Sequence, residues 1–397
     1  MARCPGKKHA AGTVPFKPSG SAIVKEYQTN ITMQKNYVRA KRLPGLANLK
    51  AFLALLLFLG VSCRTSAPVT DYGVSKGDAY FSIAILPDTQ YYTAIRHGGN
   101  MSMFANQVSW IIKNRQAEKI AYVIHLGDIT DHNAEEEWIR AKNELYRLGQ
   151  RNIPYGLAVG NHDQTPNSKP AAGDPNTGYS KYFGKDYFKT KSWYGGGMGS
   201  SNNNDNHFDL FTANGQDFMV LYLVYNQPGH KYHNQAYETA TMKWADSVLT
   251  AHSDRKAILV SHGTIGKPKN SNSNFIPGEG TNKEPGKLTN QGKVMYEMAK
   301  HHSNVFMMLG GHIAGESFRR DTFGSNVIKT YLTDYQSRRN PPYAGAEDRN
   351  GGNGLMRLLR FNTSKQTVSA LTFIPQKDGR VIFETDADSQ FTEPVYN

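Results

Sequence analysis

Six short apolar runs fix what this chain can become: Tyr80–Leu86, Ile120–Leu126, Ile153–Val159, Phe218–Tyr225, Lys256–Val260 and Val305–Leu309. Each has the length and unbroken apolar character of a buried strand. Segments of helical period lie between them. Ser102–Glu118 places Phe104, Val108, Ile111 and Ile112 on one face, and Ala134–Leu148, Glu238–Ala251 and Leu288–His301 also read as helices. Strand, helix, strand with crossovers of this size predicts parallel pairing in an α/β domain. Beyond Leu309 the strands Val327–Leu332, Leu355–Phe361 and Val368–Phe373 follow without helices, which favours a mixed or antiparallel second sheet.

The runs end in polar residues. Tyr80–Leu86 leads to Asp88, Ile120–Leu126 to Gly127-Asp128, and Ile153–Val159 to Gly160-Asn161-His162-Asp163. Lys256–Val260 leads to His262, and Val305–Leu309 to His312. Taken singly, each is equally a polar turn or a hydrogen-bonded core histidine. Together they place carboxylates, an amide and imidazoles at the carboxyl ends of strands, where α/β folds gather ligands. That donor mixture suits Zn, Mn or Fe better than Ca or Mg.

Composition divides the chain. Residues 1–63 hold ten Lys and Arg against the single acid Glu26, which leaves a net charge of only +4 out of +13 for the rest. Basic residues flank the eleven-residue apolar run Ala51–Val61, which Cys63 closes. The run is too short to span a bilayer and reads as a signal peptide, with Met33 as a candidate start. Residues 1–63 are therefore expected to be a leader that directs export to the periplasm, to the outer membrane through a lipid on Cys63, or to the medium. The alternative, an ordinary buried helix, does not account for the basic flank and the cysteine. A net +4 gives no support to nucleic-acid binding. With no cysteine after Cys63, the expected domain at 80–397 contains neither disulfides nor thiolate ligands.

Residues 64–79 read as a polar linker. Residues 164–215, rich in Gly, Asn, Ser and Tyr, read as a long surface loop that could wall a cleft, and Thr264–Pro285 as a second loop.

On Gly127-Asp128-Ile129-Thr130-Asp131, Gly160-Asn161-His162-Asp163, His262 and Gly311-His312, the chain resembles the calcineurin-like metallophosphoesterases, over roughly residues 80 to 375. It most resembles a secreted bacterial branch opening with Leu86-Pro87-Asp88-Thr89-Gln90. That branch also carries Asp334-Tyr335-Gln336 and Gly351-Gly352-Asn353-Gly354. The resemblance implies a four-layer α/β/β/α sandwich of two mixed sheets, with metal ligands on loops at strand ends. It implies two divalent metals (Mn, Fe or Zn) bridged by Asp128. One would be held by Asp128, Asn161, His262 and His312. The other would be held by Asp88, Gln90 and Asp128, and more weakly. Gln90 stands where the family has His, and Ala314 stands where it has the last His. Glu316 and Gln336 are candidates to complete that position.

The implied activity is hydrolysis of phosphate mono- or diesters by a metal-activated water. His162 is expected to protonate the leaving group, Asp163 to hold its imidazole, and Asp131 to order the Gly127 loop. His125 reads as a core residue. Tyr91, Tyr92, Tyr194 and the Gly351–Gly354 loop serve equally as pocket walls or as packing. The alternative reading is a non-catalytic or single-metal surface-binding protein on the same scaffold, motivated by Gln90 and Ala314. No residue fixes the substrate or an oligomeric state.

Overall fold

The computed structural model describes residues 68–166, 169–174, 178–267, 285–336 and 351–395. The expected leader and Cys63 lie outside the described residues, as does most of the expected loop Thr264–Pro285. Among the described residues no helix is long and apolar enough to cross a membrane.

Strands β1 (Tyr80–Leu86), β2 (Ile120–His125) and β3 (Tyr155–Leu157) come first. Then follow β4 (Tyr194–Gly197), β5 (His207–Ala213), β6 (Gln216–Tyr222), β7 (Lys256–Val260) and the short pair β8 (Ile265–Gly266) and β9 (Lys287–Leu288). The chain continues with β10 (Val305–Gly310), β11 (Gly315–Phe323), β12 (Asn326–Asp334) and β13 (Met356–Asn362). It closes with β14 (Thr367–Pro375), β15 (Val381–Glu384) and β16 (Gln390–Pro394). Two seven-stranded sheets result. One has the order β15-β14-β13-β1-β2-β3, with β16 also on β14, and the other β11-β12-β10-β7-β6-β5-β4.

Both sheets are mixed. β1, β2 and β3 pair in parallel, as do β6, β7, β10 and β12, while β13, β11 and β5 join antiparallel. Parallel neighbours require long crossovers; β10 reaches β12 through β11, and the other four of the five parallel pairs are joined by helices Met101–Asn114, Glu135–Gln150, Gln235–Ala251 and Asn290–Ala299. Local chemistry starts three of them. Asn100, Asn234 and Thr289 accept the backbone N–H of Ser102, Tyr237 and Gly292, satisfying donors a helix start leaves open.

Alternation along β6 shows the layering. Phe218, Val220 and Tyr222 share a core with β1 and β2, whereas Met219 and Leu221 pack with the helices Gln235–Ala251 and Asn290–Ala299. The Phe81 and Phe218 rings meet across the sheets at 5.0 Å, and Trp110 of helix Met101–Asn114 lies 4.6 Å from Phe373 on the opposite face of the first sheet. The order is helix, sheet, sheet, helix. Each fully buried aromatic or aliphatic side chain here contributes about 1.5–3 kcal/mol.

Two expectations are corrected. Residues 68–79 are docked on the domain. Val69 donates its N–H to Glu118 at 2.7 Å, Arg360 and Asn362 donate to the carbonyls of Tyr72 and Gly73, and Val74 is buried. Much of 164–215 is regular structure as well. Helices Gly178–Phe183 and Lys185–Phe188 precede β4 and β5, which extend the second sheet. The asparagines that suggested a surface loop are partly interior: Asn204 donates to the Phe183 carbonyl and Asn206 accepts from the Val224 N–H. Irregular buried backbone needs such partners, and short amides supply them.

Candidate metal centre

The carboxyl ends of the two sheets meet at one edge. Leu126, after β2, donates its N–H to the Leu86 carbonyl at 3.0 Å, and Tyr225, after β6, donates to Val159 at 3.0 Å. The Gly311 N–H reaches the His262 carbonyl at 2.9 Å. These bonds carry Asp88, Asp128, Asn161, His262 and His312 to a common region.

Close approach there requires glycine. A Cβ on Gly160 would fall inside van der Waals contact of Asp128 Oδ1, and one on Gly311 would do the same to Asp88 Oδ1. Asp128 (φ 47°) and His312 (φ 70°) adopt left-handed backbone, an unfavourable conformation that concentrates at functional sites.

His262 is fully buried, and its Nδ1 donates to the Leu126 carbonyl at 2.9 Å. That bond commits Nδ1 and turns Nε2 toward Asp128 Oδ2 at 3.0 Å; burial disfavours the charged ring, but Asp128 raises its pKa. Ligand atoms of Asp128, His262 and His312 lie within 4.8 Å of one another. Burial and the nearby His262 lower the His312 pKa to about 4, so its ring is neutral and able to ligate at neutral pH. Asn161 Oδ1, both Asp88 carboxylate oxygens and Gln90 Oε1 are buried with no hydrogen-bond partner. Gln90 donates Nε2 to Asp131 Oδ1 at 3.0 Å, which leaves its carbonyl oxygen as the open atom.

Such orphaned acceptors are costly unless something positive sits among them. The electrostatics agree. Burial holds the Asp88 pKa well above the carboxylate range, and Asp334, Asp128 and Asp163 push it further. Burial also opposes ionisation of Asp128, but His262 and His162 outweigh it and keep Asp128 below the usual range. The donors present fit divalent metal ions.

His162 stands at the rim, its side chain 24% exposed, with Nε2 4.0 Å from Asp128 Oδ2. Its Nδ1 donates to the Asp131 carbonyl at 2.6 Å and lies 3.4 Å from Asp131 Oδ1. Burial disfavours the charged ring, yet Asp128 and the Asp131 hydrogen bonds raise the pKa to about 9.

Here the expected roles of two aspartates exchange. Asp163 does not hold the imidazole. Its carboxylate accepts the backbone N–H groups of Gly160, Ile129 and Thr130, and so orders the Gly127 loop. Asp131 was expected to order that loop and instead holds His162. Asp131 is itself fixed by Arg96 at 2.7 Å and by Glu137, which accepts its backbone N–H. His125 is a core residue as read: Thr89 bonds its Nε2, Gly127 N–H donates to its Nδ1, and burial lowers its pKa to about 3.

Of the two candidates to complete the Asp88 position, Glu316 is excluded. It forms a buried ion pair with Arg357 and accepts bonds from Tyr335 and Ser389. Gln336 donates to Asp334 through its backbone and its side chain. Tyr92 accepts the Gly354 N–H and so anchors the Gly351–Gly354 loop, while Tyr194 binds Asn204 within the 164–215 region. Sequence reading missed Tyr225, whose ring is 4.9 Å from that of His312. Asp334 was named there only within the segment Asp334-Tyr335-Gln336 and without a role, although Val327–Leu332 is one more apolar run with a polar end.

A match to the uncharacterized protein YvnB of Bacillus subtilis (strain 168) is 29% identical over 317 residues, 77% of this chain and 21% of that protein. The chain thus spans about a fifth of this relative's length. Among solved structures, a dimetal phosphatase from Danio rerio is similar with TM-score 0.44 and 13% identity, covering 79% of this chain and 99% of that one. A purple acid phosphatase from yellow lupin (Lupinus luteus) gives TM-score 0.42 and 14% identity, covering 83% and 55%. The model of the calcineurin-like phosphoesterase family matches residues 81–338, and the chain belongs to that family of metal-dependent phosphoesterases.

Proposed function

We propose that this chain hydrolyses phosphate mono- or diesters. Asp128, Asn161, His262 and His312 would hold one divalent metal, and Asp88, Gln90 and Asp128 would contribute to a second. The observation that carries this reading is a buried set of unpartnered donors with one imidazole at its solvent rim. Bound divalent metals supply Lewis acidity toward a phosphoryl oxygen and make water a better nucleophile. The chain's own residues do the rest. With Nδ1–H committed to the Asp131 carbonyl, His162 also carries a proton on Nε2, on the side of Asp128, because Asp128 and Asp131 outweigh burial and raise its pKa to about 9. It delivers that proton to the leaving alkoxide. Asp163 keeps the loop that presents Asp128 in place. The basic flank, the apolar run Ala51–Val61 and Cys63 support export, with Cys63 as the point of lipid attachment.

The test is hydrolysis of p-nitrophenyl phosphate and its bis-ester with Mn, Zn or Fe supplied. Chelation should abolish turnover. Asn161→Ala should lose metal as well as activity. His162→Ala should lower kcat by roughly 10²–10⁴-fold while bound metal stays constant. If neither ester is cleaved with any metal, the reading is wrong.

A further inference from the structure

The Asp88 position is short of one donor, because Ala314 has no ligating atom. The strand next to it offers one. β12 runs parallel to β10 with Leu332 beside Gly310, so Asp334 and His312 each lie two residues past the same level. On its other side β12 pairs with β11, and Asp334 lies opposite Gly315, the residue after Ala314. Register thereby sets Asp334 beside the segment that carries Ala314.

Asp334 is built for such a role. It is fully buried. Its Oδ1 accepts the Gln336 N–H at 2.9 Å and its Oδ2 accepts Gln336 Nε2 at 3.2 Å, so each oxygen keeps a lone pair and the carboxylate is fixed in orientation. Gln90 Oε1 and both Asp88 oxygens lack partners in the same region. Glu316, the other nearby carboxylate, is committed to Arg357.

We propose that Asp334 is a ligand of the second metal position and makes it an all-oxygen site, formed by Asp88, Gln90, Asp128 and Asp334. This inference rests on the phosphoesterase reading. Its chemical consequence is a division of labour between the two positions. Two imidazoles at the His262–His312 side favour a borderline ion such as Zn. Carboxylate and amide oxygens alone favour a harder ion such as Mn. The centre takes two different metals.

The experiment uses the full chain, stripped with a chelator and loaded with one equivalent of Zn. Mn is then titrated in, and free Mn is followed by its paramagnetic resonance signal. The wild type should bind one Mn per chain. Asp334→Ala should weaken Mn binding at least tenfold while Zn binding is unchanged. Asp334→Asn, which keeps the size and one oxygen donor, should fall between them. Ala314→His combined with Asp334→Ala should restore a second site that now takes Zn. Circular dichroism establishes that each variant is folded, and Gln336→Met, which frees Asp334 without removing it, gives a milder loss if Asp334→Ala does not fold. Unchanged Mn affinity in the folded Asp334 variants would overturn the assignment, as would a wild type that fills both positions with Zn in preference to Mn. Ester cleavage that persists alongside such a result leaves the phosphoesterase reading standing. A wild type that binds no metal and cleaves no ester removes both.

Discussion

Replacing Asp131 and Asp163 in turn separates two roles that adjacent loops share. Asp163 is buried and accepts three backbone N–H groups and the Thr130 hydroxyl. Asp163→Ala leaves those donors without a partner, and bonds to a charged acceptor are worth about 1.5–3 kcal/mol each before compensation. Urea denaturation should show a loss of at least ~2 kcal/mol. Asp131 is buried, but its partner Arg96 is half-exposed, and an ion pair with one solvated member contributes little to stability. Asp131→Asn should therefore unfold at nearly the wild-type urea concentration yet lower kcat on a phosphate ester roughly tenfold, because His162 loses a charge that orients it. The opposite pattern, with Asp131 governing stability and Asp163 governing kcat, would reverse the assignment. Neither role was legible in Gly160-Asn161-His162-Asp163, where adjacency favours His162–Asp163 pairing. In the fold, side chains of neighbouring residues diverge at the turn, and the partner of His162 comes from the loop after β2.

At the scale of an element, β5 carries a titratable group away from the metal centre. His207 is buried, stacked at 4.4 Å on Tyr222, with Nδ1 donating to the Asn204 carbonyl and Nε2 unpartnered. Burial lowers its pKa to about 3, against 6.5 for a free imidazole. Its folded value is depressed, so its contribution to stability is complete above pH 6.5 and is lost as pH falls from there toward 3. Over that window this one group gives a slope of about 1.4 kcal/mol per pH unit. His207→Phe, which keeps the stacking area, should flatten stability against pH between 6.5 and 4 in urea titrations. A slope equal to that of the wild type would show that His207 does not titrate with unfolding. The strand itself was hidden in the sequence. His207–Ala213 alternates buried and half-buried residues inside a polar stretch, and its partner β6 decides its register.

Across the whole molecule, one buried ion pair joins segments far apart in the chain. Arg360 of β13 meets Glu118, just before β2, at 2.6 Å with neither side chain exposed. Glu118 also accepts the Val69 N–H, and Arg360 donates to the Tyr72 carbonyl, so the pair fastens residues 68–79 to the first sheet. Glu118→Ala leaves a buried guanidinium without its counter-charge, which costs about 3–5 kcal/mol. Urea denaturation should register that loss, and limited proteolysis should open the chain ahead of Tyr80 first. Stability unchanged within ~0.5 kcal/mol would show that Arg360 is not left uncompensated and that the pair does not hold this segment.

The sequence by itself determined the class of this fold and the place of its centre. Apolar runs of strand length separated by helical period dictate an α/β domain, and polar residues at the ends of those runs mark where the strands converge. Those signals are local, and a linear reading recovers them. Tertiary structure decided the partnerships. Pairing of β12 with β10 and β11 carries Asp334 toward Asp88, the turn after β3 gives His162 to Asp131, and docking turns residues 68–79 from a tether into part of the domain. Each depends on strand register or on contacts between residues far apart in sequence, and neither is written in the order of the residues alone.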